Sequence, residues 1–389
     1  MNYNINAGTK PFQIGIPQYF GIGVSNLIGE KLNGLGCKKV LIICDKGVEA
    51  AGLTKRIADI ITEAGIENIT YNGVLPDPPD TSIAEVDAVV KENAVDGLVA
   101  VGGGSSIDTA KAASLLSTNE GPINRFFDLT TPRKPGIPLI VVPTTAGTGS
   151  EVSGGGVITE TATQIKKVFI TAPTMALIDP ELTLGVPPKV TAASAFDVLA
   201  HCLDAIFSNG SGPFCKLVAY DGVRLFKDSL LTVYNDGGNI EARSAMAMAS
   251  NIGGICISCG GININHALAH SLGARYHIAH GAACYTFMTA CLEYEAEACP
   301  DEIRTLSNIF GDGYCEAEPI ADVAARVSAA IAELGSQVGM PKLKDCVPSL
   351  EEALEIAKTA VLERSSTCRS CVPVDEEALR KIIEAAYNR

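Results

Sequence analysis

Short β-branched runs alternate with helical patterns in the first half of the chain, and this alternation constrains the fold more than any other feature. Strands are predicted at 39–44, 96–101 and 138–142, with further strands at 168–170 and 175–178, and helices at about 26–35, 53–64, 82–93 and 109–116. Strands that alternate with helices form a parallel sheet connected through crossover helices. The sequence therefore predicts an α/β domain in residues 1–186.

The second half of the chain has no strand-like runs. After Pro187 and Pro188, helical patterns continue at 191–207, 214–230, 240–259, 264–272, 302–310, 318–338, 349–363 and 375–387. We therefore expect a domain boundary at these prolines and an all-helical domain in residues 187–389. The apolar stretch 245–261 has the composition of a membrane span, but Ser250, Asn251 and several glycines interrupt it, so a buried helix is the better interpretation.

The composition excludes several classes of partner. The 389-residue chain has a net charge of −14, which argues against binding to nucleic acid or to an anionic membrane. Its thirteen cysteines are mostly isolated, and its first residues do not resemble a signal peptide, so a reducing cytoplasm is expected. The pairs Cys256/Cys259 and Cys368/Cys371 lie too far apart for a zinc ribbon, and we interpret them as packing residues.

Two loops follow predicted strands in the first domain and are candidates for a phosphate site. The first loop contains Gly102, Gly103, Gly104, Ser105, Ser106 and Asp108, and the second contains Thr144, Thr145 and Thr148. Glycines allow the backbone to approach a ligand closely, and the start of a helix offers unpaired N–H groups to a phosphate. In parallel sheets, ligands bind beyond the carboxyl ends of the strands. Tight turns whose hydroxyls bond their own backbone are the alternative, which the loops alone leave open.

All five histidines of the chain lie in residues 194–281, within the second domain. Asp197 and His201 are four residues apart, as are His266 and His270, so each pair projects from one face of a predicted helix. An aspartate with several imidazoles is a typical ligand set for a divalent metal. Scattered core histidines that bond backbone carbonyls are the alternative, but the clustering favours a metal site.

Taken in order along the chain, these motifs resemble those of the iron-dependent (group III) alcohol dehydrogenases. The similarity runs from about residue 10 to the C-terminus and includes 102–108, 143–148, 197–201 and the histidine series 266–280. The family has an N-terminal, Rossmann-like dinucleotide-binding α/β domain and an all-α domain that binds metal and substrate, an architecture similar to that of dehydroquinate synthase. The resemblance thus implies an NAD(H)-linked alcohol dehydrogenase or aldehyde reductase that acts on a small alcohol or aldehyde.

The resemblance also implies roles for individual residues. The implied metal ligands are Asp197, His201, His266 and His280, with Fe²⁺ as the ion and Zn²⁺ or another divalent metal as alternatives. His270 and His277 are implied to be catalytic residues on the substrate side that do not bind the metal. The implied contacts to NAD(H) are Asp45 (at the adenosine ribose), Asp77, Gly102, Gly103, Gly104, Ser105, Ser106, Asp108, Thr144, Thr145, Thr148 and Lys167.

The chain departs from the family pattern at two places. Asp77 stands where the family often has asparagine, and Cys371-Val-Pro-Val stands where Asn-Pro-Arg is common. A zinc glycerol dehydrogenase and a dehydroquinate-synthase-like lyase are alternatives of related fold, and a metal-binding hydrolytic protein without nicotinamide is an alternative of another class. The apolar composition and the extended N-terminal stretch favour a homodimer or a multiple of one.

Overall fold

The computed structural model describes residues 10, 12–163 and 165–389. These residues divide into two compact units, one formed by Ile14–Val186 and the other by Pro187–Arg389 with the described residues before Ile14. The strands of the first unit are β1 (Gln18–Phe20), β2 (Lys39–Ile43), β3 (Glu67–Tyr71), β4 (Gly97–Gly102), β5 (Leu139–Pro143), β6 (Gly155–Glu160), β7 (Ile165–Ile170) and β8 (Met175–Ile178). Its helices are α1 (Ile28–Gly34), α2 (Lys46–Ala50), α3 (Leu53–Glu63), α4 (Asp80–Glu92) and α5 (Gly104–Leu116).

Six of these strands form one parallel sheet in the order β1-β8-β5-β4-β2-β3. The central strands β2, β4 and β5 are almost entirely buried apolar runs, as expected for a parallel sheet that is covered on both faces. The predicted α/β arrangement with a parallel sheet is therefore confirmed. β6 and β7 form a separate antiparallel pair, so the predicted strands near 168 and 175 lie in different sheets.

Some elements of this unit differ from the sequence prediction. Helix α5 begins at Gly104, five residues before the predicted start at 109, because the glycine and serine residues form its first turn instead of a loop. Strand β3 was not predicted, since it reads Glu-Asn-Ile-Thr-Tyr, pairs with β2 alone at the edge of the sheet and lacks an apolar run. The short helix α2 was also missed.

The helices dominate the second unit, as predicted, and its described residues add one isolated antiparallel β-bridge, between Ser208 and Ser370. Its helices are α6 (Pro188–Phe207), α7 (Pro213–Asn235), α8 (Ile240–Gly260), α9 (Ile264–Tyr276), α10 (His280–Glu295), α11 (Pro300–Phe310), α12 (Ile320–Gln337), α13 (Leu343–Cys346), α14 (Leu350–Leu354), α15 (Ile356–Ala360), α16 (Arg364–Thr367) and α17 (Glu376–Tyr387). The sequence did not predict α10, because its apolar residues surround the helix and give no periodic stripe. The helix predicted at 349–363 is broken into α14 and α15.

Two helices of this unit have unusually apolar stretches. α6 is long and apolar enough to span a membrane, yet 83% of its apolar window is buried inside the protein, as in a core helix. α8 is followed by a bend of 108° into α9, so the apolar stretch at 245–261 ends at this bend and does not continue straight into the next helix. That stretch is largely buried, as the sequence predicted.

The described residues before Ile14 group with the helical unit and not with the α/β unit, although the prediction placed all of 1–186 together. The ring of Phe12 lies 5.9 Å from that of Phe214 at the start of α7. The carbonyl oxygen of Gln13 lies 3.6 Å from the sulfur of Cys259 in α8. These contacts attach the N-terminal segment to the helices, a long-range pairing that the local sequence does not show.

Candidate functional site

The glycine and threonine loops of the first unit begin side by side. β4 and β5 are neighbours in the sheet, and their register pairs Gly102 with Pro143, so the two loops leave the same edge together. The N–H of Thr144 donates to the carbonyl of Gly102 at 3.1 Å. The structure thus brings together the two segments that the sequence identified separately.

Glycine is required where the two loops approach each other. A Cβ atom at Gly104 would lie 2.9 Å from a side-chain carbon of Thr148, and one at Gly103 would lie 3.0 Å from Oγ1 of Thr145. Gly102 has φ 154°, and a Cβ there would lie 2.4 Å from Oγ of Ser106. Side chains at these positions would separate the two loops. They would also fill the space between the loops above the start of α5, which we call the cradle.

The first turn of α5 is suited to an anion. Within the described chain, no side chain caps its N-terminus, where Gly103 is the capping residue and Ser105 follows in the first turn. The hydroxyl of Ser106 is buried and has no hydrogen-bond partner among the described residues. The exposed N–H groups of a helix start and its positive dipole end favour a phosphate. The cradle therefore fits the pyrophosphate of a dinucleotide.

Asp108 plays a structural part that the sequence did not suggest. Its carboxylate accepts hydrogen bonds from Oγ of Ser150 at 2.6 Å and from the N–H of Val157 at 2.9 Å. Burial raises the pKa of Asp108, against the opposing effect of Lys111. Both oxygens are engaged within the protein, and the contact of Asp108 with the cofactor stays a prediction.

Lys111 is fully buried and was missed by the sequence analysis. Its Nζ donates to the carbonyls of Ser150 at 2.7 Å and Gly155 at 2.6 Å, and lies 3.7 Å from Asp108. Burial lowers the pKa of Lys111, although Asp108 and Glu151 favour its charged form. The side chain therefore ties α5 to the segment that follows the threonine loop. A lysine in a run of small residues gives no local signal of this role.

Asp45 lies two residues after the end of β2 and caps helix α2. Its Oδ1 accepts hydrogen bonds from the N–H groups of Gly47 at 2.7 Å and Val48 at 3.0 Å. These contacts are those of a helix-capping residue, and capping alone is an alternative role for this aspartate. They engage one oxygen, so Oδ2 remains for a ribose hydroxyl.

Asp77 and Lys167 lie in the same unit as the cradle. Asp77 has φ 47°, a left-handed conformation that asparagine and aspartate adopt more readily than most residues, which explains why either occurs at this position. Its carboxylate pairs with Lys166 at 2.7 Å, whereas Nζ of Lys167 lies 3.8 Å from Glu160. The described contacts thus join Asp77 to Lys166, the residue just before the predicted cofactor contact Lys167.

The histidine cluster of the second unit is assembled from three helices. α6 supplies Asp197 and His201, α9 supplies His266, and His280 is the first residue of α10. The Nε2 atoms of the three histidines lie 3.6, 3.6 and 3.4 Å, in that order, from Oδ1 of Asp197. Although burial disfavours its charge, the adjacent imidazoles hold the pKa of Asp197 well below its usual range.

These separations fit a metal centre. Donor atoms placed tetrahedrally around one ion at 2.0–2.2 Å lie roughly 3.4 Å apart. Nε2 of His266 is buried and makes no hydrogen bond within the described chain, so a ligand would satisfy it. The donor atoms of Asp197, His266, His280 and Cys284 all lie within 4.8 Å of one another. His201 is not part of this compact set, although its Nε2 faces Asp197.

Asp204 orients one of these imidazoles and was not identified from the sequence. Its Oδ2 lies 2.7 Å from Nδ1 of His266, which leaves Nε2 directed at Asp197. A carboxylate that accepts the second ring N–H fixes the tautomer and orientation of a metal-binding histidine. Asp204 lies seven residues after Asp197 on α6, so the helical spacing of the two aspartates could have revealed it.

A buried network extends from Asp204 toward the C-terminus. The N–H of Asn263 donates to Asp204 at 2.5 Å, and its side-chain amide donates to Glu295 at 2.8 Å. Burial raises the pKa of Glu295 to about 7, against the hydrogen bonds from Ser370 and Asn263. Ser370 donates to Glu295 at 2.7 Å, and the sulfur of Cys371 lies 3.7 Å from the same carboxylate. The atypical Cys371-Val-Pro-Val segment thus packs beside this network.

His270 lies beside the cluster and is held by Glu363. Its Nδ1 lies 2.9 Å from Oε2 of Glu363, and its ring stacks on that of His280 with centroids 5.3 Å apart. Although burial would raise it, the pKa of Glu363 is lowered by His270 and by hydrogen bonds from His270 and Ser366. Glu363 is 93 residues away from His270, so no local pattern in the sequence indicates the pair.

His277 differs from the other four histidines. It ends α9 in a left-handed conformation with φ 56°, and its N–H donates to the carbonyl of Gly273 at 2.9 Å. Its side chain is exposed, and no ring contact joins it to the described histidines. The structure therefore places His277 at a helix cap and brings the other four together.

Helices α6 and α10 meet in backbone contact beside the cluster. A Cβ at Gly281 would lie 1.8 Å from the carbonyl oxygen of Ala193 and 3.1 Å from Cβ of Asp197. Only glycine permits this approach, which brings His280 within reach of Asp197. The glycine after His280 is therefore as necessary to the cluster as the histidine.

Residues 17–180 match the family model described as iron-containing alcohol dehydrogenase, and residues 191–387 match the C-terminal model of the Fe-containing alcohol dehydrogenase family. The NAD-dependent methanol dehydrogenase of Bacillus methanolicus is 33% identical over 344 residues, 87% of this chain and 90% of that protein. The 1,3-propanediol dehydrogenase of Klebsiella pneumoniae is 32% identical over 83% of this chain and 85% of that protein.

Solved structures show the same architecture. A crystal structure of 1,3-propanediol oxidoreductase superposes with a TM-score of 0.93 at 30% identity and covers 97% of this chain and 100% of that one. An alcohol dehydrogenase from Oenococcus oeni gives the same TM-score, identity and coverage. The predicted combination of a dinucleotide-binding type of α/β fold with a helical fold is therefore confirmed.

Proposed function

Because the chain belongs to the iron-containing alcohol dehydrogenase family, we propose that it transfers hydride between NAD(H) and a small alcohol or aldehyde at the histidine cluster. Membership confirms the predicted class, a metal-dependent and NAD-linked alcohol dehydrogenase, and favours it over the hydrolytic alternative. The proposed metal ligands are Asp197, His201, His266 and His280. The observation that carries the proposal is the convergence of three imidazoles on Oδ1 of Asp197 at 3.4–3.6 Å.

The residues around this cluster have different roles in the proposed reaction. A divalent metal supplies Lewis-acid polarisation of the substrate oxygen. Asp204 holds the imidazole of His266 in the orientation that binds the ion. His270, with Nδ1 on Glu363, has Nε2 available to exchange a proton with the substrate hydroxyl. In the other unit, the start of α5 and the threonine loop bind the pyrophosphate, and Asp45 binds the ribose.

Two measurements test the activity. Titration of the protein into NADH should change the fluorescence of the nicotinamide, since binding moves it into a protein environment. A panel of small aldehydes should then show NADH consumption, with propanediol-derived and other short aldehydes as the first candidates. No fluorescence change and no consumption with any aldehyde would contradict the proposed function, whereas binding without consumption would restrict the failure to the substrate.

His270→Ala is expected to keep the metal content near that of the wild type while it lowers turnover by about 100-fold or more, the usual contribution of a positioned acid or base. His270 lies one helical turn beyond His266 and bonds Glu363, so its loss leaves the proposed ligands in place. Metal analysis and steady-state kinetics on one preparation measure both effects. Loss of metal equal to that in His266→Ala would make His270 a ligand and overturn the assignment.

We expect a preference for NAD(H) over NADP(H) of roughly ten- to a hundredfold, because a carboxylate about 4 Å from the 2′-phosphate is repelled by about 1 kcal/mol per charge pair even in water. Asp45→Asn tests this cleanly, since asparagine also caps helices but carries no charge. The ratio of kcat/KM for the two cofactors should fall toward unity in the variant. An unchanged ratio would show that Asp45 only caps α2.

We also propose that the chain forms a homodimer or a multiple of one. β1 is an edge strand that pairs with β8 alone among the described strands. Beside it, Ile22 is 60% exposed, and Tyr19 and Phe20 are 38% and 39% exposed. An open strand edge with apolar side chains invites pairing with another copy. Light scattering should give the mass of at least two chains, and a single-chain mass at working concentration would contradict the proposal.

We propose a cytoplasmic location because the cysteines of the described chain carry free thiols. All thirteen described cysteines are free, as expected in a reducing compartment. Of the two Cys-x-x-Cys pairs, Cys256 is buried in α8 and Cys368 is exposed, so the packing interpretation suits the first pair better than the second. Fractionation of expressing cells tests the location, and recovery of the enzyme in the membrane fraction would contradict it.

A further inference from the structure

A thiol lies among the metal-binding side chains. Cys284 follows His280 by one turn of α10 and is fully buried. Its Sγ lies 3.9 Å from Oδ1 of Asp197 and 3.9 Å from Nε2 of His280. It therefore faces two of the proposed ligand atoms at once. The other thiol of α10 in the same buried face, Cys291, is not part of the compact donor set.

The separations suit a sulfur ligand. Sulfur binds Zn²⁺ at about 2.3 Å and nitrogen or oxygen at about 2.0–2.2 Å, so tetrahedral neighbours of the sulfur lie roughly 3.6 Å from it. The observed 3.9 Å is roughly 0.3 Å longer than this separation. A weak S–H hydrogen bond to Asp197 would give similar distances, and an experiment must separate the two roles.

We propose that Cys284 is an alternative fourth ligand, whose thiolate can take the place of His201 beside Asp197, His266 and His280 and gives the centre a soft donor. As the metal–sulfur bond forms, the S–H bond breaks and its proton leaves to solvent. Thiolate ligands favour Zn²⁺ and similar ions over Fe²⁺, so Cys284 raises the retention of zinc relative to iron. The proposal rests on the metal site of the proposed function, but the two can fail separately.

Cobalt reports a sulfur ligand directly. Metal-free protein loaded with Co²⁺ should bind one ion per chain at the cluster and show visible ligand-field bands together with a near-ultraviolet sulfur-to-cobalt charge-transfer band. Cys284→Ser should retain the bound cobalt and its visible bands but lose the charge-transfer band. Cys291→Ser is the matched control, because it removes a buried thiol from the same helix, and it should keep both features.

The outcomes are distinct. Bound cobalt without a charge-transfer band in the wild type would leave the metal site intact and overturn the role of Cys284. A band that survives in Cys284→Ser would belong to other thiols and overturn it equally. Failure to bind cobalt at all would overturn the metal site itself. If Cys284→Ser does not fold, Cys284→Ala provides the same comparison.

A second readout concerns the choice of metal. Wild-type protein and Cys284→Ser, each equilibrated anaerobically with equal Zn²⁺ and Fe²⁺, should differ in the ratio of bound metals. We expect the zinc-to-iron ratio to fall by about tenfold in the variant, because serine replaces the soft sulfur with a hard oxygen donor; even residues that only support a metal ligand change metal affinity by about this much. An equal ratio in both proteins would contradict a soft donor at this position.

Discussion

Removal of the metal is expected to lower kcat/KM by at least about 10³-fold, because polarisation of the substrate oxygen is worth several kcal/mol in the transition state. Ferrous iron added back anaerobically should restore activity better than zinc. Asp197→Ala should produce the same loss without chelation, since it removes the oxygen on which three imidazoles converge. Metal analysis of each preparation, with kinetics before and after reconstitution, measures the effect.

The control for this result is His277→Ala. Its side chain is exposed at the end of α9 and lies outside the cluster, so this variant should keep the full metal content. Melting curves on both variants exclude unfolding as the cause of metal loss. Full activity in protein shown to be metal-free would overturn the metal-dependent mechanism.

Lys111→Met is expected to destabilise the protein by about 3–5 kcal/mol, because it leaves the partly buried carboxylate of Asp108 without its counter-charge. The lysine is fully buried and bonds the carbonyls of Ser150 and Gly155. The same change should weaken NADH binding, since α5 loses its tie to the segment after the threonine loop. Urea unfolding and NADH titration measure the two effects.

The double variant Asp108→Asn/Lys111→Met isolates the ion pair. Its loss of stability should be smaller than the sum of the losses in Asp108→Asn and Lys111→Met by about 0.5–3 kcal/mol, the range found for residues in direct contact. Lys91→Met is the matched control, because Lys91 also pairs with an aspartate on a helix but is 55% exposed. Its effect should stay within about 0.5 kcal/mol. Equal losses at Lys91 and Lys111 would show that burial of the pair is irrelevant.

The sequence predicted the parts of the molecule that local pattern controls. Apolar runs and helical periodicity placed the strands of the parallel sheet, and the spacing of Asp197 and His201 placed their side chains on one face of α6. The hydrophobic pattern did not predict α10, because burial on all sides removes its periodicity. It did not predict β3, because this edge strand is polar.

The hydrogen-bond partners of the site residues could not be predicted from the sequence. Glu363 reaches His270 from 93 residues away, and Ser370 reaches Glu295 from 75 residues away. Such pairs are created by the packing of helices that no local signal connects. Asp204 is the exception, because its position on α6 relative to Asp197 carries helical spacing. Cys284 was not identified as a candidate because its helix, α10, was not predicted.

The contact of Gly281 with Ala193 makes the centre mechanically stiff. The distance between α6 and α10 is set there by main-chain atoms, which cannot change rotamer. If the cluster holds an ion, a change of ionic radius would have to be met by rotation of side chains such as the Asp197 carboxylate, because the helices keep their separation. A scaffold of this kind selects among ions through geometry and not only through affinity, and substitution of one metal for another should alter the electronic spectrum of the site far more than its backbone.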